Sequence, residues 1–360
     1  MIVVIGAGVT GLACGLSLAR RGREVVVLER HRKAGLETST HNSGVIHAGL
    51  YHPPGSLKST LCVEGRELLK AFCRSHDVPH LEAGKLVVAT EKAEEFHLES
   101  LAANAIANRV EVEIVDAAFV AAREPHVRAT RALWSPHSGW VDADRYVRTL
   151  QREVEVHGGH VLAASPVLAI EPSGDHVDVV TPRERIEAEV VINAAGLYAD
   201  EVSAMADGEP FTIYPCRGEY AELAPSASGL VQGLVYPVPH PSGHGLGVHL
   251  TRTISGTVWV GPTIRYQARK DDYEDDREPL ERFFESAQRL LPSLGAGDLR
   301  LGGSGIRAKL HPAHERYADF MIRTDARQPW LIHAAGIDSP GLTASLAIGE
   351  RVASAVVSRL

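Results

Sequence analysis

The chain has 360 residues, 44% of them hydrophobic, and a formal net charge of −8. That acidity argues against nucleic acid as a partner, and no apolar run approaches the ~18 residues a membrane span needs. Four cysteines (Cys14, Cys62, Cys73, Cys216) without a CxxC pair, and a strand opening at Met1, lead to the expectation of a reduced, cytoplasmic protein. No metal is expected: the histidines are scattered, and only His311 and His314 have a spacing that could share an ion.

Met1–Ile5 is a β-branched apolar run that enters Gly6-Ala-Gly8-Val-Thr10-Gly11, then a helical apolar pattern. A second apolar strand, Glu24–Leu28, ends on Glu29 and Arg30. This strand, turn, helix, strand, acid order predicts a dinucleotide site. Gly6 permits the tight turn, Gly8 lets the pyrophosphate approach the backbone, and Gly11 lets helix and strand touch. The helix start offers N–H groups and a positive dipole end to the diphosphate, and Glu29 accepts ribose hydroxyls.

Thr38-Ser39-Thr-His41-Asn42-Ser43-Gly44-Val-Ile-His47-Ala-Gly49-Leu-Tyr51 has the composition of a loop that wraps a cofactor, with Thr38, Ser39, Asn42, Ser43 and Gly44 toward it. Helices are then predicted over 56–76, 91–107 and, capped by Asp142, to Val156. A strand is expected at 85–90 and others near 160–170, 175–181 and 185–192, with Val167 on the cofactor side. Val191–Asp200 runs from a buried strand through the small residues Ala195 and Gly196 into a helix start. Residues 211–270 carry strand, Pro and Gly signals and no long helix. Pro279–Leu291 returns to helix, Trp330–Ala334 is a last strand, and 343–360 a last helix. Between these two lies a second close-approach turn built on Gly336, Asp338, Ser339, Gly341, Leu342 and Thr343.

The predicted fold class is α/β: a discontinuous Rossmann-like nucleotide-binding domain (1–84, 141–210 and 300–360) with an inserted, mainly antiparallel β substrate domain (85–140 and 211–299). The cleft between them is the expected site. Arg217, Tyr220, Tyr236, Arg252 and Arg307 are candidates to face a substrate there, since a guanidinium grips a carboxylate with two N–H bonds. Arg307 is favoured among the arginines.

Several segments resemble the L-2-hydroxyglutarate oxidase/dehydrogenase branch of the D-amino-acid-oxidase-like flavoproteins. They are His41–Tyr51 with Pro54–Lys58, Arg217–Tyr220, Tyr236–Pro239, Leu246–Arg252 and Ser339–Ser345. The resemblance spans nearly the whole chain and implies FAD as cofactor. It further implies oxidation at a carbon that bears a hydroxyl or amine beside a carboxylate. Arg307 is similar in position to the superfamily's carboxylate-binding arginine. The expected reaction takes a small carboxylate, a 2-hydroxy acid, to the 2-oxo acid by hydride transfer to flavin N5, with His47 or His249 as base and His47 ahead. Electrons would pass on to O2, a quinone or a protein carrier. The alternatives are an amine or D-amino-acid oxidase of the same fold, and a flavoprotein subunit of an electron-transfer complex.

Overall fold

The runs Ile2–Ile5, Val25–Leu28 and Val190–Asn193 are buried at every position, as strands covered on both faces must be. In the computed structural model, which describes residues 1–239 and 247–358, they form the centre of a six-stranded sheet. Its order is Met321–Thr324, Leu331–Ala335, Val190–Asn193, Ile2–Ile5, Val25–Leu28, His160–Leu162. All neighbours are parallel except the first pair. Strands from residues 2 to 335 thus build one sheet, which is the discontinuous nucleotide-binding arrangement predicted. One face packs on the helices Val9–Ala19, Ala143–Val156 and Gly341–Val357. The other is covered by a three-stranded antiparallel sheet of Ala169–Ser173, His176–Val180 and Arg185–Ala188.

The predicted strand 185–192 divides at Glu189: its first half joins that cover and Val190–Asn193 joins the central sheet. The strand expected near 160–170 likewise ends at Leu162. The final helix begins two residues earlier than predicted, at Gly341, and its predicted end, Arg359 and Leu360, falls outside the described residues.

The second body is a nine-stranded mixed sheet. Lys85–Ala89, Leu234–Pro237, His249–Arg252, Val258–Gly261, Tyr214–Leu223 and Leu299–Lys309 are successive neighbours in it. All but the first pair run antiparallel. Leu299–Lys309 carries residues assigned by sequence to the nucleotide domain, yet it pairs along most of its length with Tyr214–Leu223. The sheet's outer face buries the amphipathic helix Leu280–Leu290, and its inner face looks toward the nucleotide-binding half.

Helices meet closely where glycine permits it. A Cβ on Gly65 would lie 2.5 Å from the Thr343 carbonyl oxygen, and one on Gly349 2.4 Å from that of Ala13. These contacts set the depth at which the helix starting at Gly341 enters the molecule. No helix among the described residues is long and apolar enough to cross a membrane.

Candidate cofactor and substrate site

A cavity of about 920 Å³ lies between the two sheets. Gly6, Gly8, Val9 and Thr10 form part of its wall. Gly6 has φ +104°, and a Cβ there would sit 2.5 Å from the Ala194 carbonyl oxygen. A Cβ on Gly11 would lie 1.8 Å from the Gly6 carbonyl oxygen, so Gly11 serves as a spacer behind the wall and does not line it. Val9 N donates to Ser39 Oγ at 3.0 Å, which fastens the loop after Glu37 to the helix start. Glu29 lines the cavity and is fixed by two backbone donors, Ala7 N to Oε2 (3.0 Å) and His31 N to Oε1 (2.8 Å). A carboxylate at the end of the second strand, a Cβ-free turn and the N–H groups that a helix leaves unpaired in its first turn together fit a dinucleotide.

The lining also contains Arg30, Thr38, Ser39, Asn42, Ser43, Val167, Ala195, Gly196, Asp338, Ser339, Gly341 and Leu342. Gly44, Gly336 and Thr343 do not line it. Gly44 and Gly336 have positive φ, and a Cβ on either would strike Val141 or Leu310. Thr343 is fully buried and works on the backbone of the His47 loop: its Oγ1 accepts from His47 N (3.0 Å) and donates to Val45 O (3.3 Å). Asp338 is held between Lys58 (2.7 Å) and Lys309 (3.0 Å). Burial pushes its carboxyl up, but the two ammonium groups outweigh this and keep it well below the usual carboxylate range.

His47, His249, Tyr220, Tyr236 and Arg307 all line the cavity. The antiparallel register aligns Tyr220, His249 and Tyr236 on the sheet's inner face, and the Tyr236 and His249 rings stack at 3.8 Å. His47 Nε2 lies 3.3 Å from Ser339 Oγ. Burial, then the Lys85 cation, keeps His47 well below the ordinary imidazole range, while His249 is pushed down to about 3 by burial, Lys85 and Arg307. Both imidazoles are therefore neutral at physiological pH.

Arg307 crosses the face of Gly218, where a Cβ would come 2.7 Å from both Nη atoms. Its one protein acceptor among the described residues is the Thr263 carbonyl oxygen at 3.4 Å, so its fork remains available to a ligand. Arg217 and Arg252, expected from the sequence to face a substrate, do not line the cavity. Arg217 is 1% exposed, paired with Glu219 (2.9 Å) and Asp272 (3.1 Å), and its Nη2 donates to Asp275 O. Arg252 Nη1 donates to the carbonyls of Ser228 and Val231. Both are kept from it because each guanidinium is bonded to segments flanking its own sheet: 272–276 for Arg217 and 228–231 for Arg252. Leu246 of the Leu246–Arg252 segment lies outside the described residues.

His311 is buried, with Nδ1 3.3 Å from Tyr266 OH, while His314 is 81% exposed. The two do not form a joint ligand set. Glu209, Asp325 and His333 do cluster. There His333 Nε2 meets Asp325 Oδ2 at 2.8 Å and Nδ1 meets Asn193 Nδ2 at 3.2 Å, so both ring nitrogens are already used.

Lys58 and Lys85 line the site and escaped sequence reasoning. Sequence reasoning reaches Lys58 only as the end of the Pro54–Lys58 segment, not as a site residue. The signal at Lys85 was a charge opening the fully buried run Leu86–Ala89.

Residues 1–355 match the family described as DAO, FAD dependent oxidoreductase. The chain is 35% identical to an L-2-hydroxyglutarate dehydrogenase, mitochondrial, of Arabidopsis thaliana over 98% of this chain and 82% of the relative. It is 31% identical to an L-2-hydroxyglutarate dehydrogenase of Escherichia coli K12 over 99% and 93%. Among solved structures, the L-alpha-glycerophosphate oxidase of Mycoplasma pneumoniae with FAD bound superposes with a TM-score of 0.89 at 25% identity, covering 98% of this chain and 93% of that one. The glycine oxidase of Geobacillus kaustophilus superposes with a TM-score of 0.83 at 21% identity, covering 99% and 94%, and shares the fold.

Proposed function

The chain belongs to the DAO family of FAD-dependent oxidoreductases, and from that premise we propose that it oxidises L-2-hydroxyglutarate to the 2-oxo acid. The observation that carries this reading is an arginine fork without a carboxylate partner among the described residues, Arg307, sharing one cavity with the neutral imidazole of His47. The two L-2-hydroxyglutarate dehydrogenases of Arabidopsis thaliana and Escherichia coli support the substrate.

FAD, when bound, supplies the acceptor for the hydride that leaves C2. The turn at Gly6–Gly11, Glu29 and the loop 38–44 are the residues that would hold it. Arg307 donates two N–H bonds to the substrate carboxylate and so fixes the orientation of C2, which accounts for a large share of barrier reduction in such reactions. With Nδ1 carrying the proton, His47 Nε2 presents its lone pair toward Ser339 and the cavity, and takes the hydroxyl proton as the C2=O bond forms. The backbone of His47 is held by Thr343 and cannot swing away freely. Ser339 Oγ donates to the same Nε2 and gives way when substrate arrives.

The test is anaerobic mixing of the flavin-loaded protein with L- and D-2-hydroxyglutarate, shorter 2-hydroxy acids and 2-amino acids while flavin absorbance is followed. Fastest bleaching by L-2-hydroxyglutarate is expected; fastest bleaching by an amino acid, with ammonia released, would select the amine-oxidase alternative instead. Readmitting O2, a soluble quinone or an electron-carrier protein to the bleached enzyme identifies the acceptor.

A further inference from the structure

Lys85 is 1% exposed, and its Nζ has no hydrogen bond or ion pair among the described residues. A buried ammonium without a counter-charge is costly, and the protein has placed this one in the cavity wall. Nζ stands 4.6 Å from the centres of both the Tyr51 and Tyr236 rings. These aromatic faces steady a cation but do not neutralise it. Tyr51 OH and His249 Nδ1, in the same wall, are also buried without hydrogen-bond partners among the described residues. Unpaired polar atoms are thus concentrated around Lys85.

Lys85 and Arg307 lie on strands five steps apart in one sheet, about 24 Å on a flat sheet at ~4.8 Å per step. Both lean inward. Lys85 reaches the ring of Tyr236 on the next strand, and Arg307 lies across Gly218 on its neighbour. Each side chain reaches over one neighbouring strand toward the other, so the gap shortens by about one strand spacing at each end, toward the reach of a short diacid hydrogen-bonded at both ends. The other lysines of the wall, Lys58 and Lys309, each have an ion pair, although they share the single carboxylate of Asp338, whereas Lys85 has none among the described residues.

We propose that Lys85 is the specificity-determining residue that binds the second carboxylate of a dicarboxylate substrate, opposite Arg307. This rests on the oxidation proposed above and adds the source of its preference for a diacid. Lys85 takes no part in bond making: it sets which acids are held, and Arg307 and His47 serve the reacting end.

The experiment compares L-2-hydroxyglutarate with L-2-hydroxypentanoate, which has the same chain length and lacks the second carboxylate. Single-turnover flavin reduction is measured in the wild type, Lys85→Met and Lys85→Gln, each with flavin content and thermal midpoint recorded. The expected result is a loss of about 100-fold in the reduction rate constant divided by the substrate dissociation constant on the diacid, with less than threefold change on the monoacid. Equal losses on both acids would overturn the proposal, because they would place Lys85 at the shared reacting end. Glutarate, which has both carboxylates and no hydroxyl, separates this from failure of the oxidation reading. Its binding, read by perturbation of the flavin spectrum, weakens by a similar factor in Lys85→Met even if no hydroxy acid bleaches the wild type. Unchanged glutarate affinity in both variants would equally overturn the proposal.

Discussion

The backbone N–H of His47 donates to Thr343 Oγ1 at 3.0 Å, joining residues 296 apart in sequence. One hydroxyl thereby ties the loop that carries the proposed base to the first turn of the last helix. In Thr343→Val the shape is kept and the acceptor lost, leaving an N–H unsatisfied at a cost of about 1–3 kcal/mol. Flavin reduction is expected to slow about tenfold or more, since small displacements of a reacting group are expensive, and Thr343→Ser should restore it. Stopped-flow bleaching and urea denaturation check the two effects.

His47 and His249 are both neutral and both face the cavity, so geometry has to divide their roles. His249 is clamped flat against Tyr236 at 3.8 Å, whereas His47 has its Nε2 beside the Ser339 hydroxyl. His47→Gln is expected to slow flavin reduction by about 10²–10⁴, the usual weight of a general base, and His249→Gln by much less. If neither substitution slows the bleaching step, the proton acceptor is another group.

Gly218 is what lets the Arg307 guanidinium lie flat on the sheet. Gly218→Ala adds a methyl 2.7 Å from both Nη atoms without touching any charge. KM for the acid should rise by about 10- to 100-fold, as expected when a charge-assisted pair is displaced. Flavin content should stay unchanged. Arg307→Lys should show the same pattern, because an ammonium cannot reproduce the bidentate grip.

The nucleotide-binding half was legible because each of its signals is local. Gly6, Gly8, Gly11 and Glu29 lie within thirty residues, and the backbone they need is built by their own neighbours. The place of Arg307 in the cavity wall was legible too, beside glycine on a strand. Arg217 and Arg252 carried the same kind of signal, and only the fold shows that Glu219, Asp272 and the carbonyls of Ser228 and Val231 occupy them. Lys85 was missed for the converse reason. A lysine beginning a strand reads as a solvated end, and its burial arises from Tyr51 and Tyr236, which other parts of the chain bring over it. The pairing of Leu299–Lys309 with Tyr214–Leu223 was not legible, because partners some eighty residues away leave no periodic trace.

A buried chain of hydrogen bonds runs from Asp325 to His333 and Asn193, which sit side by side on neighbouring strands of the central sheet. Burial pushes the Asp325 carboxyl up, but His333 and the backbone N–H groups of Glu209, Gln328 and Arg327 outweigh it and hold it at about 2. Its folded-state value lies below the unfolded one of about 3.9, so its contribution is complete above pH ~4 and lost as pH falls toward 2. Asp325→Asn should cost on the order of 2 kcal/mol at neutral pH. Urea titrations of the two proteins should converge near pH 2.

Burial pushes the Lys85 ammonium down to about 7. The groups around it are Tyr51, Cys62, Tyr236, His47 and His249. Burial holds the tyrosines and the thiol protonated through this range, and both imidazoles are neutral throughout it. Below pH 7 the free enzyme presents a cation to the second carboxylate, and above it an amine. kcat/KM reports the free enzyme, and the ratio of its values for L-2-hydroxyglutarate and L-2-hydroxypentanoate cancels ionisations that both reactions share. That ratio should fall as pH rises from 6 to 9, with its midpoint near 7, and should be flat and low in Lys85→Met. A flat, high wild-type ratio over the same interval would mean that diacid preference is set by a group other than this lysine.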